Sequence, residues 1–144
     1  MNKKILTSLC LLLPLTACVH YQTKNAVVNS KQVPKFSQIC IQQNDQVDPS
    51  KEYLNIINNR FIENGIKTEI YQQQKPKQCK YSLTYNIQQK WDVTPFISQA
   101  DLYLFDDGLQ VHTTRFKVNS TFELDKWSGA KSKLEKLVDD IIQK

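Results

Sequence analysis

The segment YSLTYNIQ at residues 81–88 alternates apolar and polar side chains without a break. Its odd-numbered residues are aromatic or aliphatic, and its even-numbered residues are polar. A period of two is typical of a β-strand whose sheet is covered on one face only. The segment therefore predicts a sheet, and the rest of the chain must supply both the neighbouring strands and the cover.

Two segments downstream are predicted to form a β-hairpin. Residues 100–105 and 109–118 read as strands, and Asp107-Gly108 between them is a typical two-residue hairpin turn. The cross-strand neighbours expected from this turn are Leu104 with Val111 and Leu102 with Thr113.

Upstream, two more strands are separated by a helix. Residues 36–41 and 67–71 read as strands, and Cys40 lies within the first of them. The helix is predicted to begin at Asp48, a favourable N-cap, because Pro49 suits the first helical position. Gly65 is expected to end it in the left-handed conformation, with Ile66 packing back on the helix as in a Schellman motif.

A last helix is predicted to open at Asp125 and to present one apolar side. That side comprises Trp127, Ala130, Leu134, Leu137, Val138, Ile141 and Ile142. The chain is therefore expected to adopt an α+β fold, an antiparallel-rich sheet of four to five strands with both helices packed on one face, in the order β-α-β-β-β-β-α.

The N-terminus has the features of a bacterial export signal. Lys3 and Lys4 precede an apolar run over residues 5–15, which is too short to span a bilayer. The run ends in Leu15-Thr16-Ala17-Cys18, which resembles the lipobox of bacterial lipoproteins processed by signal peptidase II. This resemblance implies a signal peptide at residues 1–17, and a Cys18 that carries diacylglycerol on sulfur and an acyl chain such as palmitate on nitrogen. The alternative is an ordinary secretory signal with a chance cysteine at its end.

A lipidated Cys18 implies a protein held on a membrane. Val19, in place of Asp, favours the outer membrane by resemblance to Gram-negative sorting rules, with the domain facing the periplasm. Residues 18–35 are polar and without a period, which predicts a lipidated, flexible tether. Residues 36–144 are then expected to form a single α+β domain.

Cys40 and Cys79 remain as a pair once Cys10 leaves with the signal and Cys18 is lipidated. A disulfide is the expected state in the envelope. The competing interpretation is a reactive or metal-binding thiol, which would need an activating base from His20 or His112.

A looser resemblance follows from residues 79–85 (CKYSLTY) and Trp91-Asp92, which together resemble small, mostly uncharacterised envelope lipoproteins of Gram-negative bacteria. The order of elements also resembles that of the lipopolysaccharide-assembly lipoprotein. Neither resemblance assigns a functional residue to this chain.

The sequence carries no nucleophile elbow, zinc-protease helix, phosphate loop or Cys-x-x-Cys motif, so we expect no enzyme, cofactor or metal site. Asp106-Asp107-Gly108 is interpreted as a turn rather than a calcium loop. His112 is interpreted as a surface or packed cross-strand residue. A net charge of +5, part of which leaves with the signal, does not indicate nucleic-acid binding.

One cluster is a candidate contact with an envelope partner. Trp91, Pro95 and Phe96 are predicted to lie in a connection between two strands, and large apolar side chains in a stiffened loop suit an interface. The competing interpretation, which is the favoured one, is that Trp91 and Phe96 cap the end of the sheet core. The favoured function is an accessory or protein-interaction lipoprotein of an outer-membrane or secretion assembly. A periplasmic inhibitor or immunity protein against a lysozyme, protease or toxin is the alternative, and an envelope hydrolase is a third class.

Overall fold

One six-stranded sheet organises the protein, with strand order β1-β6-β5-β4-β2-β3. The computed structural model describes residues 20–25, 33–119 and 127–142, and for 20–25 only the backbone. The elements are β1 (His20–Asn25), β2 (Gln38–Gln42), α1 (Glu52–Glu63), β3 (Lys67–Tyr71), β4 (Tyr81–Asp92), β5 (Thr94–Asp106), β6 (Leu109–Lys117) and α2 (Ala130–Ile142).

The predicted α+β fold and its β-α-β-β-β-β-α order are confirmed from β2 to α2. Both helices pack on one face of the sheet and share a single apolar core with it. The sheet is mixed rather than purely antiparallel: β2 runs parallel to β3 and β4, while β4, β5, β6 and β1 pair antiparallel in turn. A sixth strand, β1, was not predicted.

The alternating segment has the predicted role. Leu83, Tyr85 and Ile87 on β4 are buried toward the helices, beside Ile39 and Ile41 on β2. Burying an aliphatic side chain of this kind stabilises a fold by about 1.5–3 kcal/mol. The period of two therefore determines which face of the sheet the helices cover.

The N-terminus of α1 differs from the prediction, whereas its C-terminus agrees with it. The helix begins at Glu52 with Lys51 as its N-cap, so the prediction that Asp48 is the N-cap is wrong. Asp48 still accepts a hydrogen bond from the backbone N–H of Leu54 at 2.8 Å, so its carboxylate caps the first turn from outside the helix. The predicted Schellman end is confirmed, because the N–H of Ile66 donates to the carbonyl of Phe61 at 3.0 Å.

Helix α2 begins at Ala130, later than predicted. Asp125 lies outside the described residues, and Trp127 precedes the helix rather than lying on its apolar side. Arg60 of α1 clasps α2 through two hydrogen bonds to Asp139, of 2.8 and 2.6 Å. The bidentate geometry fixes the two helices relative to each other.

The predicted tether at 18–35 differs from the structure at its start. His20–Asn25 form β1, an edge strand paired antiparallel with β6 from His20 opposite Lys117 to Asn25 opposite His112. Backbone pairing along an edge does not need an apolar period, which is why the polar sequence gave no sign of it. Val33 also belongs to the core, ahead of the predicted domain start at 36.

The hairpin at Asp107-Gly108 is confirmed, but its register is not. Asp106 pairs with Leu109 and Phe105 with Gln110, after which a bulge shifts the pairing by one residue. Leu104 therefore lies opposite His112 rather than Val111, and Leu102 opposite Thr114 rather than Thr113. A one-residue shift exchanges the faces of a strand, so His112 is turned into the core and is only 3% exposed.

Burial lowers the pKa of His112 below its usual 6.5. A lowered histidine pKa means that the folded state favours the neutral ring, so this contribution to stability is present above the usual pKa and is lost as pH falls through the lowered one. We expect the free energy of unfolding to decrease between about pH 7 and pH 5, and to decrease less in His112→Leu. Urea titrations at both pH values measure the two slopes, and equal slopes would contradict the prediction.

Neither described helix is long and apolar enough to cross a membrane.

Candidate functional site

Trp91, Pro95 and Phe96 lie at the far end of a long β-hairpin, not in a loop as predicted. Strands β4 and β5 continue their pairing outward, with Lys90 opposite Phe96 and Trp91 opposite Pro95. The strands are joined at Val93 alone. The structure thus brings the three candidate contact residues together on paired ladders, which gives them a fixed geometry.

The side chains at this tip are strongly exposed. Trp91 is 75% exposed and Val93 is 81% exposed, so the alternative that Trp91 caps the core is wrong. Pro95 is exposed and Phe96 is half-buried. Val93 has φ of 61°, a left-handed conformation that is strained for a β-branched residue. Holding a non-glycine residue in this region costs on the order of 1–3 kcal/mol, a cost that glycine would avoid.

The base of the hairpin is held by a bulge. Gln88 pairs with Gln99 and Gln89 with Ile97, which leaves Ser98 as the extra residue on β5. The Ser98 hydroxyl donates to the carbonyl of Gln88 at 3.1 Å, and its own carbonyl accepts from the N–H of Val118 at 2.9 Å. The hydroxyl and the carbonyl of Ser98 are therefore both hydrogen-bonded, and a bulge bends a strand at a defined place.

Side chains from both helices contact the base of the hairpin. Gln89 donates a hydrogen bond to the hydroxyl of Tyr53 on α1, whose pKa is raised chiefly by burial, so the phenol stays neutral. On α2, the buried Lys133 places its Nζ 3.4 Å from the carbonyl of Ile97 and 4.9 Å from the ring centroid of Phe116. The hairpin thus emerges from a rigid base.

Trp127 adds a second indole to the tip. Its Nε1–H donates to the carbonyl of Asp92 at 3.3 Å, and the residue is 49% exposed. We call Trp91, Val93 and Trp127 the tip patch. Sequence reasoning found Trp91 but missed the other two: Trp127 was assigned to the helix, and Val93 becomes notable only once the hairpin is known to turn there.

The disulfide between Cys40 and Cys79 is confirmed, with Cα atoms 5.9 Å apart. Because β2, β3 and β4 run parallel, residues 72–80 must return across β2 to begin β4, and we call this segment the strap. Side chains alternate along a strand, so Cys40 faces away from the helices and ties the strap to that face. Gln78 of the strap also donates to both carboxylate oxygens of Glu69, at 3.2 Å each.

A carboxylate oxygen of Glu69 and the two sulfur atoms lie within 4.8 Å of one another, a spacing that could hold a metal ion. Both sulfurs are used in the disulfide, and the thiolate is the form that binds metal or attacks a substrate. His112 faces the helices, on the other side of the sheet from Cys40, so the structure does not bring this candidate base to the cysteines. Cys18 lies outside the described residues, as does the side chain of His20.

No family model matches the sequence, and no curated protein matches it. The fold is similar to that of PelC from Paraburkholderia phytofirmans, solved as a dodecamer. A single-substitution variant of PelC aligns with a TM-score of 0.53 and 14% identity over 87% of this chain and 95% of that chain. A second PelC dodecamer aligns with a TM-score of 0.52 at the same identity and coverage. At this identity the likeness establishes a shared fold.

Proposed function

We propose that the protein is a lipid-anchored lipoprotein of the outer membrane, facing the periplasm, and that it serves as an accessory or interaction module rather than as an enzyme. The tip patch is the observation that carries the contact role. It places two indoles and a valine of positive φ at the exposed end of the hairpin. The lipobox-like Leu15-Thr16-Ala17-Cys18 supports the anchor.

The disulfide and the hydrogen bonds within the domain are consistent with a role in binding a partner. The disulfide and the Arg60–Asp139 clasp hold parts of the core together, and the hydrogen bonds of Ser98 tie the base of the hairpin to Gln88 and Val118. A preorganised contact surface loses little conformational entropy when it binds. We therefore assign envelope contact to the hairpin tip, including Trp91, Pro95 and Phe96.

A role within an assembly is also supported by the comparison. PelC, which shares the fold, is solved as a dodecamer. An accessory role can take the form of self-association of this chain. It can also take the form of binding to a different envelope protein.

Crosslinking of intact cells that carry a tagged protein tests the proposal. We expect crosslinked species that contain a defined envelope protein, or further copies of the chain, in the membrane fraction. A Cys18→Ser form is the matched control, because it keeps the domain and loses the anchor; we expect the same species to be depleted from it. Recovery of no defined partner from the anchored protein would contradict the proposed role.

A protruding hairpin with an exposed tip also suits an inhibitor that enters an enzyme cleft, which keeps the inhibitor or immunity role as a second candidate. This role requires that the protein abolish the activity of a lysozyme, protease or toxin at a stoichiometric amount. Titration of candidate enzymes, with Trp91→Ala as the tip variant, measures it. Loss of inhibition in Trp91→Ala would support the inhibitor role over the accessory one.

A further inference from the structure

The start of β1 and the tip patch lie at the same end of the sheet. Because β1 is antiparallel to β6, His20 lies opposite Lys117, the last residue of β6. Lys117 in turn lies opposite Gln99 on β5, and the residues of β5 that precede Gln99 lead to the hairpin tip. The chain that enters at His20, with Cys18 just before it, therefore arrives at the end from which the tip projects.

The distances allow both to touch one surface. Val93 lies about 20 Å beyond Gln99, at roughly 3.3 Å per strand residue. Cys18 precedes His20 by two residues, a length of chain that spans at most roughly 7 Å. Strands β1 and β5 are two strand spacings apart, roughly 10 Å. The lipid on Cys18 and the side chain of Val93 can reach one membrane surface if the strands are tilted from the membrane normal toward the β1 edge.

Charges at this end favour an anionic surface. Lys90 on the hairpin and Lys117 at the end of β6 are exposed, and the side chain of Lys131 is 73% exposed in the first turn of α2. That first turn holds no acidic residue. Lys131 also forms an ion pair with Glu135, one turn further along α2, at 3.6 Å, so the lysines that carry this argument are Lys90 and Lys117. Each lysine near an anionic lipid surface adds attraction to it.

We infer that the tip patch docks on the lipid surface that holds the anchor, with Val93 leading and the two indoles at headgroup level. The inference rests on the proposed function, since it takes Cys18 to be lipidated, and it names the lipid bilayer as what the tip contacts. Tryptophan suits this depth because its ring is apolar and its N–H is polar. The acyl chains on Cys18 hold the protein at the membrane, and a second contact at the tip patch sets the orientation of the domain.

Tryptophan fluorescence in vesicles tests the inference, since the chain has two tryptophans. The full lipoprotein carrying Trp127→Phe is purified from membranes and reconstituted into phosphatidylethanolamine and phosphatidylglycerol vesicles, with and without bromine on the acyl chains near the headgroups. We expect about a twofold loss of Trp91 emission in the brominated vesicles, because an interfacial indole lies within contact range of the quencher. Adding Val93→Gly, which relieves the strained turn and removes the leading side chain, should reduce the quenching.

Leu109 provides the matched control, since it is 61% exposed at the opposite end of the sheet. A protein with Trp91→Phe, Trp127→Phe and Leu109→Trp should show no quenching in the same vesicles. Vesicle flotation separates the two proposals. Protein that floats with its Trp91 unquenched would overturn the docking inference alone, while protein that fails to float would overturn the anchor and the docking together. Capture of a protein, rather than lipid, by a photocrosslinker at position 93 would also overturn the docking.

Discussion

Replacing Cys18 with serine is expected to give an unprocessed or mislocalised product. Buried CH2 groups contribute about 0.8 kcal/mol each, so if Cys18 is lipidated as proposed, its acyl chains would account for nearly all of the membrane affinity of the processed protein. The tip patch alone adds a weak, salt-sensitive contact. Fractionation of cells and the electrophoretic mobility of the chain measure both effects. We expect the processed, lipid-modified form to be lost, and the chain to be recovered either as the longer precursor or in the wrong fraction.

Cys10→Ser is the matched control, because Cys10 lies in the apolar run that the signal peptide includes. It should be processed and attached as the unaltered protein is. Normal processing and efficient attachment of the Cys18→Ser form would instead contradict the lipoprotein proposal, and with it the role assigned to the tip patch.

Removing the disulfide should produce the largest loss of stability among the changes considered. The bond joins residues 39 apart in sequence, and the chain-entropy estimate for a loop of that length is about 4 kcal/mol. The double variant Cys40→Ser/Cys79→Ser avoids leaving a free thiol. Its strap keeps the Gln78–Glu69 hydrogen bonds, the bond from Gln42 to the carbonyl of Gln72, and the contacts of Lys80 with Asp106 and Asp107. Urea denaturation of the two proteins measures the difference.

Dithiothreitol treatment of the unaltered protein provides the control, since the reduced protein should unfold near the midpoint of the double variant. A double variant as stable as the oxidised protein would mean that the strap is held by its other contacts. Retained stability of the variant together with loss of stability on reduction would contradict the assignment of the bond to Cys40 and Cys79.

Strong local patterns in the sequence predicted much of the fold. The alternation at 81–88 identified β4 and its buried face, Asp107-Gly108 identified the hairpin turn, and Gly65 identified the end of α1. Each of these features depends on a few neighbouring residues. The disulfide followed from counting cysteines after the signal and the lipobox were set aside.

The features that the sequence could not give depend on pairing between distant segments. The two bulges change register without a sequence signal of their own, so the inward turn of His112 and the tight join at Val93 were not expected. Pro95 was expected to stiffen a loop, yet it lies within β5, where the exposed end of a hairpin tolerates it. The edge strand β1 is defined by its pairing with β6. The tip patch could therefore be recognised only once the strands were paired.

The central claim is that this domain is held to a membrane by Cys18. Mass spectrometry of the N-terminal peptide, from protein extracted out of cell membranes, tests it most directly. The account predicts a peptide that begins at Cys18 and carries the mass of a diacylglycerol and an added acyl chain. A peptide that contains an unmodified Cys18, or one that begins elsewhere, would contradict it.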